Sequence, residues 1–141
     1  MPNPGNTANY LSAVIEVEWR GRTWVGRPSH SIENKTAGEL LPEFLYSDSV
    51  VITAWNPNGD VRSAYENARL NHLLENDLEK TGINFFECLG RDESGQHFEE
   101  SFLALCSEKN QTEAVIDLAR EDCQEAVFLL YKDSRSLRFV D

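Results

Sequence analysis

Residues 13 to 19 alternate, with Ala13, Ile15, Val17 and Trp19 on one face and Glu16 and Glu18 on the other. A period of two is the signature of a half-buried strand. Arg20-Gly21-Arg22 is a turn, and Thr23 to Val25 predicts a short return strand. Thr36 to Leu45 carries Leu40, Leu41, Phe44 and Leu45 around Pro42, which predicts a short or broken helix. Val50 to Trp55 is apolar and continuous rather than alternating, as expected of a central strand covered on both faces.

The pattern then changes period. Asn56-Pro57-Asn58-Gly59-Asp60 has the composition of a sharp turn. Ser63 followed by Glu66 is a capping-box pair, and it predicts a helix from about Ala64 to Lys80, with Gly82 just past its end. Ile83 to Leu89 and Phe98 to Cys106 read as two strands joined through Arg91 to Gly95. A second helix is expected over about Gln111 to Asp122, with Ala114, Val115, Leu118 and Ala119 on one face. Ala126 to Tyr131 and Leu137 to Val140 complete the set as strands.

The order β-α-β-β-α-β from residue 50 onward is that of a ferredoxin-like split β-α-β sandwich, an α+β fold. Two helices would cover one face of a mainly antiparallel sheet, which the N-terminal hairpin and the last strand extend. The chain of 141 residues fits a single domain over residues 10–141, preceded by a loose tail of Pro, Asn and Gly at residues 1–9.

One stretch breaks the binary pattern. With one hundred degrees per residue, Leu70, Leu74 and Leu78 share a helix face, and Asn67 and Asn71 fall on or beside it. Ser63 lies there too, and Glu66 sits at its edge. Polar groups on a face that should be buried mark either a ligand site or a specific polar network. They lie just past the carboxyl end of the Val50 strand, where Asn56 also sits, a position ligands favour in sheet-and-helix folds. The plainer reading is a helix cap at Ser63 and Glu66, an Asx turn at Asn56, and Asn67 and Asn71 satisfying buried carbonyls.

A second candidate is the strand around His97. Period two places Glu99 and Ser101 on the same face as Leu103 and Leu105. A carboxylate on a partly buried face needs a partner or a raised pKa, and either would suit a base or an anchor.

Composition narrows the function classes. The formal charge is −11 and the basic residues are scattered, apart from Arg20, Arg22 and Arg27. No basic stripe exists for a phosphate backbone, which argues against nucleic-acid binding. No apolar run suits a signal peptide or membrane span, and Cys88, Cys106 and Cys123 are widely spaced and odd in number. A cytoplasmic protein with three buried thiols is the expectation. His30, His72 and His97 have no metal-ligand spacing, and no Gly-rich phosphate loop occurs, so no metal and no cofactor are expected.

Taken together, Ile52-Thr53-Ala54-Trp55-Asn56-Pro57, Glu66-Asn67 with Asn71 and Leu74, Gly90, Glu99-x-Ser101-Phe102 and Gln124-x-Ala126-Val127 resemble the bacterial family known as domain of unknown function 3293. The resemblance spans roughly residues 45 to 131 and implies a small cytosolic protein with no assigned activity. It brings no catalytic residues, but it makes Asn56, Glu66, Asn67, Glu99 and Ser101 motif positions.

The reading that follows is a non-catalytic module for a small polar ligand or a protein partner. Asn56, Asn67 and Asn71 would supply hydrogen bonds and Glu99 an anionic anchor. The alternative is a small hydrolase or transferase with Glu66 or Glu99 as general base. A structural brace with function on the acidic surface is the third reading, and the sequence leaves the oligomeric state open.

Overall fold

The computed structural model describes residues 14–19, 22–26, 39–40, 49–57, 60–92, 96–124, 126–130 and 135–139. Among these, eight strands form one sheet. They are β1 (Val14–Trp19), β2 (Arg22–Gly26), β3 (Glu39–Leu40), β4 (Ser49–Ile52), β5 (Phe85–Arg91), β6 (Phe98–Leu105), β7 (Ala126–Leu130) and β8 (Arg135–Phe139). The helices are α1 (Ala64–Thr81) and α2 (Lys109–Glu121). The fold is α+β.

Strand order across the sheet is β3-β2-β1-β5-β6-β4-β7-β8. Only the β2–β3 pair is parallel; the other neighbours are antiparallel. The N-terminal hairpin therefore joins the sheet beside β5, and β8 extends the opposite end.

The continuous apolar strand earns its place in the middle. All four residues of β4 are buried, with Val50 and Ile52 facing the helices and Val51 facing away. On the helix side they meet Leu74 and Leu78 of α1, Val115, Ile116 and Ala119 of α2, and Phe102, Ala104, Val127 and Leu129 of the flanking strands. Ile15, Val17, Val51 and Leu103 form a second cluster on the reverse face, flanked by Phe86, Cys88 and Phe128. Both helices thus lie on one face, α1 over β6 and α2 over β4 and β7.

The ends of the helices follow their sequence signals. Ser63 Oγ accepts from the Glu66 amide at 3.1 Å. Gly82 closes α1 in the left-handed region at φ 75°, its amide donating to the Glu79 carbonyl. At α2, Gln111 Oε1 reaches back to accept from the Glu108 and Ser107 amides.

Two expectations need correction. Glu39–Leu40, expected within a short helix, is a strand beside β2, its backbone taken up by the sheet edge. The rest of that segment lies outside the described residues, as do the tail at residues 1–9 and the side chains of Trp19, Trp24 and Arg22. Of the three thiols expected to be buried, Cys106 is buried and Cys88 partly so, whereas Cys123 is exposed. Cys123 follows the end of α2 at φ 57°, where the chain turns outward before β7.

Candidate functional site

β4 and β6 part company just after Ile52, which pairs with Phe102. In the same register Ala54 lies opposite Glu100, but the gap there is filled by the Asn71 carboxamide. Its Oδ1 accepts from the Ala54 amide at 2.8 Å, and its Nδ2 donates to the Glu100 carbonyl at 2.7 Å. The side chain stands in for a peptide unit between two segments whose backbones no longer bond directly. Thr53 Oγ1 donates to the same Glu100 carbonyl at 2.7 Å and accepts from the Trp55 amide.

Asn67, one helical turn earlier, repeats the device. Its Oδ1 accepts from the Asn56 amide and its Nδ2 donates to Asn56 Oδ1, both at 2.8 Å. Asn56 Oδ1 also accepts from the Arg62 amide at 2.9 Å, tying both ends of the turn together. Residues four apart on a helix are separated by about 6 Å along its axis. Residues two apart on an extended chain are separated by about 6.6 Å. Asn67 and Asn71 therefore meet the amides of Asn56 and Ala54 in succession, as two rungs between helix and chain. Asn56 completes the turn at φ 47°, a left-handed conformation that Asn tolerates better than most residues.

Asn67 and Asn71 are almost fully buried, 1% and 4% exposed. No buried side-chain nitrogen or oxygen among the described residues lacks a partner. Gln124 adds a bond from beyond α2, its Nε2 donating to the Trp55 carbonyl at 3.0 Å. Asn56, Ser63, Asn67 and Asn71 thus lie together at the strand corner and helix start, with the Asn71 carboxamide bonded to the backbone and Asn67 bonded to both the backbone and the side chain of Asn56.

Glu66, Glu99 and Ser101 do not join them. The Glu66 carboxylate pairs with Arg62 at 3.2 Å on the surface, so only the serine half of the expected capping box is made. Glu99 and Ser101 share the parity of Leu103, which faces the reverse cluster. A Cβ built on Gly90, the partner of Glu99, would approach Ser101 Oγ and Ile15 Cδ1, confirming that side. They are therefore across the sheet from the asparagines. Ser101 Oγ donates to the Glu99 carbonyl at 3.1 Å. Among the described residues nothing donates to the Glu99 carboxylate, and burial pushes its pKa up to about 7. Burial likewise raises the pKa of the Cys88 thiol.

A different feature opens on the helix side, beyond α1. A cavity of about 690 Å³ lies over β1, β5 and β6. Phe85, Leu89 and Phe102 supply its apolar surface, and Phe85 and Phe102 meet edge to face at 5.7 Å. Glu16, Glu18, Glu87 and Glu100 surround that floor. The register makes the arrangement explicit: Leu89 is directly opposite Glu16 on one side and Glu100 on the other. Arg91 Nε donates to Glu16 at 2.5 Å; among the described residues the other three carboxylates have no cationic partner. Asn71 borders the groove, so the bond that closes the strand gap also fixes the backbone of Glu100.

The sequence reading missed this groove. Glu16 and Glu18 were visible as the outer face of a strand, and Phe85, Glu87 and Leu89 alternate in the same way. Only the β1–β5 register places them on one surface. Thr53 and Gln124 were missed as well, although both sit inside the motif segments.

Among the described residues no cluster of His, Cys, Asp or Glu has the arrangement of a metal site. No helix among them is long and apolar enough to cross a membrane. No curated protein and no solved structure matches the chain. The family described as Protein of unknown function (DUF3293) matches residues 52–127, from the last residue of β4 through both helices and into β7. That span holds every member of the asparagine network, and the chain belongs to this family.

Proposed function

We propose that this is a non-catalytic binding domain whose ligand, a small polar molecule or a protein partner, occupies the groove over β1, β5 and β6. The observation that carries the reading is the contrast between two polar regions. The buried polar atoms of the asparagine network all have partners within the protein, so the network serves as a brace. The groove combines an apolar floor with carboxylates free to meet a cation, and its volume is in the range of ligand sites. Asn71 then acts indirectly, by holding β6 against α1 at the groove edge, while Asn56 and Asn67 fix the turn that leads into α1. Free thiols at Cys88, Cys106 and Cys123 suit the cytoplasm of a bacterium as the setting.

The test is an amide chemical-shift screen with a library of small polar and cationic fragments. Shifts clustered on Glu16, Glu87, Leu89 and Glu100 are the expected result. Shifts confined to the turn around Asn56, or none at all, overturn the groove as the site.

A small hydrolase or transferase is the second reading, and one observation favours it. Glu99, with a pKa near 7 and no donor on its carboxylate, has the character of a general base. Glu66, already paired with Arg62, has no such character. If a substrate panel reveals turnover, Glu99→Gln should abolish it while the fold persists; retained turnover removes Glu99 from that role.

A further inference from the structure

The outer face of α1 places opposite charges at equal distances on either side of Leu73. Arg69 and Asp77 are four residues before and after it, and Glu66 and Lys80 are seven before and after. At 3.6 residues per turn these five positions fall within an arc of about 80°. The buried residues Asn67, Asn71, Leu74 and Leu78 occupy a different arc. Leu73, at the centre, is 49% exposed.

We propose that this face of α1 docks against the same face of a second copy of the chain, the two helices antiparallel about a two-fold axis at Leu73. The contact is then self-complementary. Arg69 comes level with the partner's Asp77, and Glu66 with the partner's Lys80, each pair occurring twice. At the axis Leu73 meets its own copy, and its exposed apolar surface leaves water.

Charge selects this occupant. Two chains that each carry −11 repel over most of their surface. The Leu73 arc holds two acids and two bases, so it is locally neutral and lets two copies approach. An antiparallel pairing sets acid against base, whereas a parallel one would set each charge against its like. Within the chain, Glu66 has an exposed pairing with Arg62, and among the described residues Arg69, Asp77 and Lys80 make no ion pair. Asp77 faces a like charge instead: burial first, then Asp77 and Glu121, raise the Asp122 carboxyl to about 6. A base from the second copy offsets that repulsion.

The span from Glu66 to Lys80 is about 21 Å of helix, and a crossing near 20° keeps two helices in contact over that length. One helix per subunit falls short of the roughly 1,200 Å² at the lower end of stable interfaces, so the dimer is weak and forms as concentration rises. α1 borders the groove through Asn71, outside this arc, so the dimer and a filled groove are compatible.

Sedimentation of the full chain over a concentration series is the test. The average mass should climb from one chain toward two. Leu73→Glu, which sets two carboxylates against each other on the axis, should leave a monomer whose melting curve shows the fold intact. Asp77→Arg alone should weaken association about tenfold or more, and adding Arg69→Asp should restore it. In a Cys123→Ser background, Leu73→Cys should crosslink two chains when an oxidant is added. Ala68→Cys, exposed but off the arc, should not.

A chain that stays monomeric at the highest concentration overturns the proposal. A dimer that survives Leu73→Glu overturns it too, because the contact would then lie elsewhere. So does a charge swap that fails to recover what the single reversal lost.

Discussion

An asparagine carboxamide offers one acceptor and two donor hydrogens in a plane, close to what a peptide unit presents, and this is why Asn rather than Asp occupies positions 67 and 71. Asn71→Ala would leave the buried Ala54 amide without an acceptor, and an unsatisfied buried group costs about 1–3 kcal/mol. Asn71→Asp should be worse, because it replaces the donor to the Glu100 carbonyl with a second oxygen. Urea midpoints of the two variants check the order; an Asp variant as stable as the native protein would refute the peptide-mimic account. At Glu99 the effect is on pH dependence. Its pKa is raised from the ordinary 4.5 to about 7, so between those values the folded chain holds a proton the unfolded chain has lost. This group's contribution is therefore most favourable below the lower value, declines as the pH rises through the window, and is flat above about 7. Asp122 adds a slope of the same sign up to about 6, through burial and the neighbouring Asp77 and Glu121. Glu99→Gln should remove its share, stabilising the protein by roughly 2 kcal/mol at pH 8 and little at pH 4. Thermal melts at the two pH values read the difference.

At the scale of elements, local chemistry decides the ends and periodicity decides the faces. Ser63→Ala should cost about 1 kcal/mol by freeing the Glu66 amide at the start of α1. Gly82→Ala tests the other end. Nothing lies within 4 Å of the added Cβ, so any loss of about 1 kcal/mol comes from the left-handed backbone rather than a clash. The same local signals explain what sequence reading could reach. The capped, Gly-terminated pattern located α1 almost to the residue, and the leucine spacing put Asn67 and Asn71 on its buried face. The unbroken apolar run of β4 gave its central position. Glu39–Leu40 escaped because a two-residue strand has no period of its own; its structure comes from β2. Glu66 was grouped with the asparagines because a capping-box spacing does not reveal that Arg62 competes for its carboxylate. The partner of Asn71 was invisible for a different reason: it is the backbone of Glu100, which carries no residue-specific signal.

At the scale of the molecule, strand register does what no local pattern can. Glu16 is 73 residues from Leu89 and lies beside it, one diagonal from Glu87, only because β1 joins the sheet at β5. Around one cavity this pairing concentrates Glu16, Glu18, Glu87 and Glu100 in a chain already carrying −11. Like charges on neighbouring strands repel, and Arg91 offsets only part of this. The unliganded domain therefore carries an electrostatic cost at the groove, which a cationic occupant would relieve. Glu87→Gln with Glu100→Gln should raise the melting temperature at low ionic strength, while weakening any cationic ligand of the groove. Salt separates this from a packing effect. The screening length shrinks from about 30 Å at 0.01 M to about 3 Å at 1 M, so the advantage of the variant should vanish across that range. A melting-temperature gain that persists at 1 M salt would show that the glutamates cost stability through something other than their charge. A gain that disappears, coupled with weaker cation binding, would tie the instability of the empty groove to the affinity of the filled one.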